Sequence, residues 1–322
     1  MKIDVLEQSH LEEACELFSA SYRRQREFVP ILDEATGTPG TVLSKLRDCL
    51  KKNPGVAAFD GGKLVGFMAG FYIDEFLSPN RGAYCSEWAH ASADENAFEI
   101  YRVMYKEIGQ RWVQDGGLTH AINCMEHACE AQKALIWSGF GGICFDAMRP
   151  VERIGMEPPE GIRISLIRKK DIPAWLPMVE ASARHLAESP SFIPHLESET
   201  SENLLHFLGQ PGNLAWMAWK DDETIGYMQV TPVGSGAAWV VNGERKFAIN
   251  GAYIRPEFRG NGIARSLLSA IMDWGVEQGC VRCSVDFEAT NLEACHFWLK
   301  HFKPVCRSFV RRLDARILTS FK

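Results

Sequence analysis

The sequence predicts an α/β chain built from two copies of one fold, and three observations carry that prediction. Residues 252–302 read in order as a strand end, a glycine turn, a helix, a second strand and a second helix. A hairpin-like segment, Val56 to Gly70, returns in character at Leu214 to Gln229. The length of 322 residues, with 46% hydrophobic content, is about twice a common domain and enough for two cores.

Taken along the chain, Leu11 to Tyr22 reads as the opening helix of the first copy and Ile172 to Leu186 as that of the second. Arg149 to Gly161, rich in Pro and Gly, reads as the linker. The expected division is therefore a first domain at 1–150, a linker at 151–161 and a second domain at 162–322. Ile263, Leu267, Leu268, Ile271 and Trp274 form a stripe at helical spacing that Gly275 or Gly279 ends. Val281, Cys283, Val285 and Phe287 alternate with Arg282, Ser284 and Asp286, as in a strand with one buried face. Thr290-Asn291 opens a last helix carrying Ala294, Phe297, Trp298 and Phe302, and its segment 294–303 resembles Ala131 to Phe140 about one domain length earlier.

The chemistry concentrates in Ala252-Tyr-Ile-Arg-Pro-Glu-Phe-Arg259-Gly-Asn-Gly262-Ile-Ala264. A helix entered through glycines without a capping side chain presents bare N–H groups at the positive end of its dipole, a site for an anion with several oxygens. Gly260 and Gly262 leave the main chain open to a ligand, and Arg259 is expected to add a charge-assisted contact. No Lys-Ser or Lys-Thr pair follows the glycines, which excludes a P-loop. Arg265 stands where a dinucleotide fingerprint needs a third Gly or Ala.

Arg259, Gly262 and Ala264, followed by Asn291, Ala294 and the pair Phe297-Trp298, resemble the motifs of the GNAT acyltransferase superfamily. The resemblance implies two GNAT-like domains, each a mixed, mostly antiparallel sheet flanked by helices. It implies acetyl-coenzyme A as acyl-donor cosubstrate and no metal. The backbone of Ala252, Tyr253 and Ile254 would bond the pantetheine arm. Arg259, Gly260, Asn261, Gly262, Ile263, Ala264 and Arg265, with Asn291 downstream, would hold the pyrophosphate end. The family often has a Tyr as the second aromatic of the pair, protonating the departing thiolate, whereas this chain has Trp298. His296 is the candidate replacement donor. His185, Glu188 and Asp286 are chemically competent as general base, and no motif fixes any of them; Glu188 and His185 sit at helical spacing on the segment where the family often lines its acceptor site.

The expected reaction is acetyl transfer from acetyl-coenzyme A to a small-molecule or peptide amine in a ternary complex, with the acceptor in a groove between domains. The alternative is a non-catalytic coenzyme A sensor or regulator, motivated by Trp298 and the unfixed base. The first copy is expected to bind no coenzyme, because the place of its glycine turn reads Glu87-Trp-Ala-His-Ala-Ser-Ala-Asp-Glu-Asn96. Residues 1–150 carry 15 Lys and Arg against 21 Asp and Glu, while 151–322 balance at 20 and 20, so the whole net charge of −6 lies in the first half. That balance favours a cationic acceptor and argues against a nucleic-acid partner. The ten cysteines lack a secreted-scaffold density, and Cys280-x-x-Cys283 has no second pair at metal spacing. The N-terminus does not read as a signal peptide and no run reaches membrane-spanning length, so a cytoplasmic location without membrane partners is expected.

Overall fold

The computed structural model describes residues 1–234 and 236–321, which divide into two compact units. The first holds 1–146, 238–243 and 304–322, and the second holds 147–237 and 244–303. This is a different division from the contiguous one expected, because the last strand belongs to the first unit. The chain nevertheless repeats one mixed, mostly antiparallel architecture, as the sequence indicated.

In the first unit, β1 (Lys2–Leu6) leads to α1 (Leu11–Phe28), α2 (Pro39–Lys52), β2 (Gly55–Asp60), β3 (Lys63–Met68), β4 (Phe71–Ile73), β5 (Gly82–Cys85) and β6 (His90–Ser92). Then follow α3 (Ala97–Gln114), β7 (Thr119–Met125), α4 (Cys129–Trp137) and β8 (Gly141–Pro150), whose last four residues belong to the second unit. β1, β2, β3 and β6 pair antiparallel, and β5 runs parallel to β7. Every residue of β7 is buried. A strand so enclosed needs partners on both edges, and β14 (Lys303–Arg312) supplies the second, in register from Cys306↔Met125 to Arg312↔Thr119. Its Phe309 joins Met68, Met104, Ile108, Trp112 and Ile122 in one core.

The second unit contains β9 (Ile162–Leu166), α5 (Ile172–Ala187), α6 (Ser201–Gly209), β10 (Leu214–Lys220), β11 (Glu223–Thr231), β12 (Lys246–Ile254), α7 (Ile263–Glu277), β13 (Arg282–Glu288) and α8 (Leu292–His301). The strands lie in the order β9-β10-β11-β12-β13, antiparallel except for the parallel pair β12–β13. α5 buries Trp175 against Met217 and Tyr227 on one face of the sheet. On the other face Trp274 of α7 meets Trp216 and Phe247 edge-on, with ring centroids 5.6 and 5.2 Å apart.

The two hairpins carry the repeat in their backbone. Ala58 pairs with Gly66, and Ala218 with Gly226, and in both the register slips immediately afterwards. Each glycine is required by a neighbour: a Cβ on Gly66 would stand 2.5 Å from Ile100 Cγ2, and one on Gly226 2.4 Å from Ile254 Cδ1. The short β1 and β9 and the helices α2 and α6 were not anticipated from the sequence.

Candidate active site

The site is built where β12 parts from its neighbour. β12 and β13 pair only from Lys246↔Arg282 to Ile249↔Val285, while β12 continues along β11 to Ile254↔Gly226 with an irregularity at Asn250. Beyond Ile249 the edge of β12 that faced β13 is free of ladder bonds. Such an edge offers N–H and C=O groups to an extended ligand, as a sheet edge offers them to another strand.

The chain then turns through Arg259 and Gly260 into α7. Gly260 and Gly262 both have φ +81°, and Gly262 is the N-cap residue with no side-chain cap. The first intrahelical bond found is Ser266 N–H to Gly262 C=O at 3.0 Å, so the amides of the first turn are left without partners inside the helix. A Cβ on Gly260 would meet nothing within 4 Å, so that side of the turn is open. The 151–161 segment braces the helix from the side: Met156 N–H donates to Ser269 Oγ at 3.1 Å, and Ser266 Oγ donates to the Glu157 carbonyl at 3.3 Å.

A cleft of about 730 Å³ is lined by Ala252, Tyr253, Ile254, Arg259, Gly260, Gly262, Ile263, Ala264, Arg265, Asn291 and His296. Of the residues expected around a cofactor, Asn261 alone is outside this lining, its side chain donating to the Phe258 carbonyl at 3.4 Å. The cleft also takes in His185, Met228, Phe258, Glu293, Phe297, Trp298, Lys300 and His301. Arg265 and Lys300 make one margin cationic. The His301 imidazole there is pushed below its ordinary value, first by burial and then by Arg149, Arg265 and Lys300.

The surroundings of three of the expected side chains are as follows. The Arg259 guanidinium is occupied: Nε donates to the Ile254 carbonyl at 3.0 Å, and Nη1 reaches Glu293 Oε1 at 3.0 Å. It therefore ties the strand end to the start of α8 while lining the cleft. Asn291 is the N-cap of α8, its Oδ1 accepting Ala294 N–H at 3.1 Å. Glu188 is exposed at the C-cap of α5 and does not line the cleft. His185, one helical turn earlier, does line it, with Nε2 4.0 Å from Glu293 Oε2. His296 is exposed on α8, and Trp298 is 5% exposed with its ring edge-on to Phe297 and Phe302.

The family model of the Acetyltransferase (GNAT) family matches residues 181–302, which contain α6, the fork, the glycine turn, α7 and α8. Residues 181–302 are a GNAT domain. A GCN5-related N-acetyltransferase from Sphaerobacter thermophilus shares the fold over 97% of this chain and 95% of its own, with a TM-score of 0.57 and 15% identity. A GCN5-related glucosamine N-acetyltransferase region of a fungal multi-domain β-N-acetylglucosaminidase matches 96% of this chain and 38% of that protein, with a TM-score of 0.52 and 12% identity. A comparison with curated protein sequences gave no match. The likeness to these solved structures is one of fold, and the family match lies at residues 181–302.

The first unit has the corresponding fork. β5 pairs with β7 as far as Cys85↔Ile122, and the chain resumes pairing with β3 at His90↔Met68. Between them Glu87, 1% exposed, takes Ser86 Oγ–H at 2.6 Å and Val240 N–H at 2.9 Å, and Asp146 takes Ala238 N–H at 2.9 Å. The fork is thus filled by the chain's own 238–243 segment. Before α3 the turn is acidic, with Asn96 in the left-handed position that Gly262 holds in the second unit and Asp94 paired to Arg24 at 2.8 Å. The ten cysteines are free thiols; Cys283 is buried and Cys280 partly so. Among the described residues no helix is long and apolar enough to cross a membrane.

Proposed function

We propose that the second unit transfers an acetyl group from acetyl-coenzyme A directly to an amine held in the same complex. The observation that carries this reading is the fork continuing into an uncapped, glycine-lined helix entrance. One arm offers an unladdered backbone edge suited to an extended pantetheine chain, and the entrance offers bare amides to a diphosphate. The cationic margin at Arg265 and Lys300 suits further phosphate charge. Arg259 serves by fixing the turn, and Asn291 by capping α8. In the first unit the acidic turn and the filled fork favour a partner without coenzyme.

Transfer needs a neutral amine placed against the thioester carbonyl, and placement supplies much of the rate in such reactions. Buried Trp298 offers no acidic proton, so the leaving sulfur takes its proton from the amine or from solvent. That same residue favours a second reading, a coenzyme A sensor without turnover. Calorimetry with acetyl-coenzyme A, followed by thiol release across a set of primary amines, separates the readings. Binding with amine-dependent thiol release is the expected result. Absence of binding removes both readings, and binding without release on any amine leaves the sensor.

A further inference from the structure

β13 carries polar side chains where a strand beside a core is ordinarily apolar. Phe247↔Cys283 and Ile249↔Val285 face α7, so Ser284 and Asp286 lie on the opposite face, the one on which α5 packs. Ser284 is 2% exposed, and its Oγ has no hydrogen-bond partner. Asp286 and Asn250 are partly exposed residues, and the Oδ1 atom of each is enclosed and unpartnered. Ser284 belongs to the penultimate rung of the β12–β13 ladder, and Asn250 and Asp286 are the first residues beyond the last rung. The three therefore gather at the base of the fork. Ala252, which lines the cleft, is two residues further along β12, roughly 7 Å of strand.

Native proteins seldom leave enclosed acceptors empty, and three at one place call for a shared donor. A hydroxyl, an amide carbonyl and a carboxylate oxygen together match the three N–H donors of a primary ammonium. Gly234, after β11, lies over the same face, where a Cβ would stand 2.9 Å from Ala237 Cβ, 3.4 Å from Ala248 Cβ and 3.9 Å from Asp286 Oδ1. Glu288, the next residue on that face, has its carboxyl raised by burial and by the charge of Asp286, and Lys246 and Arg282 stand on the same face at the first rung of the ladder.

We propose that Asn250, Ser284 and Asp286 bind the ammonium group of the acceptor and that Asp286 takes its proton. This rests on the acyltransferase reading above. The Asp286 carboxylate removes one proton from the ammonium, and the freed lone pair forms the C–N bond at the thioester carbonyl. The C–S bond then breaks, the sulfur leaves with the second amine proton, and Asp286 passes its proton to water. Burial raises the Asp286 carboxyl above the ordinary range, which makes it a better base than a solvated carboxylate.

The test compares wild type with Asp286→Asn, Asp286→Glu and Ser284→Ala, using acetyl-coenzyme A calorimetry and transfer to n-butylamine, putrescine and glucosamine. Asp286→Asn is expected to keep the acetyl-coenzyme A dissociation constant within about twofold and to lose about 10²- to 10⁴-fold in kcat/KM, with the acidic limb of the pH profile gone. Asp286→Glu should recover part of that loss, and Ser284→Ala should raise the amine KM more than it lowers kcat. Because Asn keeps the shape and removes a buried charge, its melting temperature should not fall. Wild type that fails to bind acetyl-coenzyme A overturns the acyltransferase reading, and this assignment with it. Binding without transfer to any of the three amines leaves the coenzyme A sensor and overturns the acyltransferase reading and this site together, whereas transfer by wild type with an Asp286→Asn variant whose kcat/KM stays within about threefold of it overturns the ammonium site alone.

Discussion

Two glycines at opposite ends of α7 give a matched experiment on the helix entrance. Gly262 at the N-cap has φ +81°, and Gly279 after the C-terminus has φ +69°. A Cβ in left-handed backbone costs about 1–2 kcal/mol. At Gly279 the new methyl would meet nothing within 4 Å, and at Gly262 only the terminal Met156 Cε at 3.1 Å, the far end of a flexible side chain. Both alanine variants should therefore lose about 1–2 kcal/mol, a fall of about 2–8 °C in Tm for a unit of this size. They should differ in response to ligand. Acetyl-coenzyme A at about 100 times its dissociation constant adds about 2.7 kcal/mol to a protein that binds it. Gly262→Ala can relieve its strain only by rotating the turn whose amides would face the diphosphate, so that increment should shrink to a small fraction. Gly279→Ala, equally strained and away from the cleft, should keep it whole. Differential scanning fluorimetry with and without the coenzyme reads both quantities. A Gly262→Ala protein with the full ligand increment, or a Gly279→Ala protein without it, would refute the placement of the diphosphate at this entrance.

Three further outcomes are expected. Asn291→Ala removes the cap on Ala294 N–H and should cost about 1 kcal/mol in urea unfolding, while Asn291→Asp or Asn291→Ser should retain most of the stability; equal loss in all three would contradict a capping role. Arg265→Gln combined with Lys300→Gln should weaken acetyl-coenzyme A binding and flatten its salt dependence, and unchanged salt dependence would show that this margin does not meet phosphate. Burial pushes His90 and His120 down to about 4, below the ordinary 6.5, so the folded chain binds fewer protons than the unfolded one. Their share of stability is complete above about pH 6.5 and is lost as pH falls toward 4, and ring NMR signals of either residue that titrate above pH 6 would contradict it.

What the sequence made legible is what local patterning governs. Gly260 and Gly262 announce a glycine turn, which the structure shows with left-handed φ at both, and the stripe from Ile263 to Trp274 announces a helix with one buried face, which α7 is. The repeat at Gly66 and Gly226 was readable because each glycine answers to a neighbouring side chain that sits too close for a Cβ. The role of Arg259 was not readable, since its carboxylate partner Glu293 comes 34 residues later and only the fold brings them together. Nor does alternation in Val305, Arg307 and Phe309 say which sheet they complete; the wholly buried β7 of the first unit decides that. Asp286 looked like the polar face of an ordinary amphipathic strand, because sequence spacing cannot tell a solvated carboxylate from an enclosed one.

The two forks, set side by side, explain why one fold repeated in a chain need not repeat its chemistry. Glu87 and Asp146 in the first unit are enclosed carboxylates whose oxygens meet main-chain N–H groups of Val240 and Ala238, so their surroundings are fixed, while burial still raises the Glu87 carboxyl. Register places Asn123 in β7 at the position that Asp286 occupies in β13, one residue past the last parallel rung, and Asn123 gives its amide to Asp146. A site filled in this way has most of its polar groups committed to the fold, and Asn123 Oδ1 alone of these atoms is buried without a donor. In the second unit the corresponding acceptors are left without donors, which costs about 1–3 kcal/mol per group when a polar atom is enclosed unpaired. Selection for stability alone would remove such a cost by a single exchange to an apolar residue of similar volume. At this place the first unit keeps one such oxygen, Asn123 Oδ1, where the second unit, which also has the bare helix entrance, keeps three, and that difference is what a division of labour between a structural copy and a reactive copy requires.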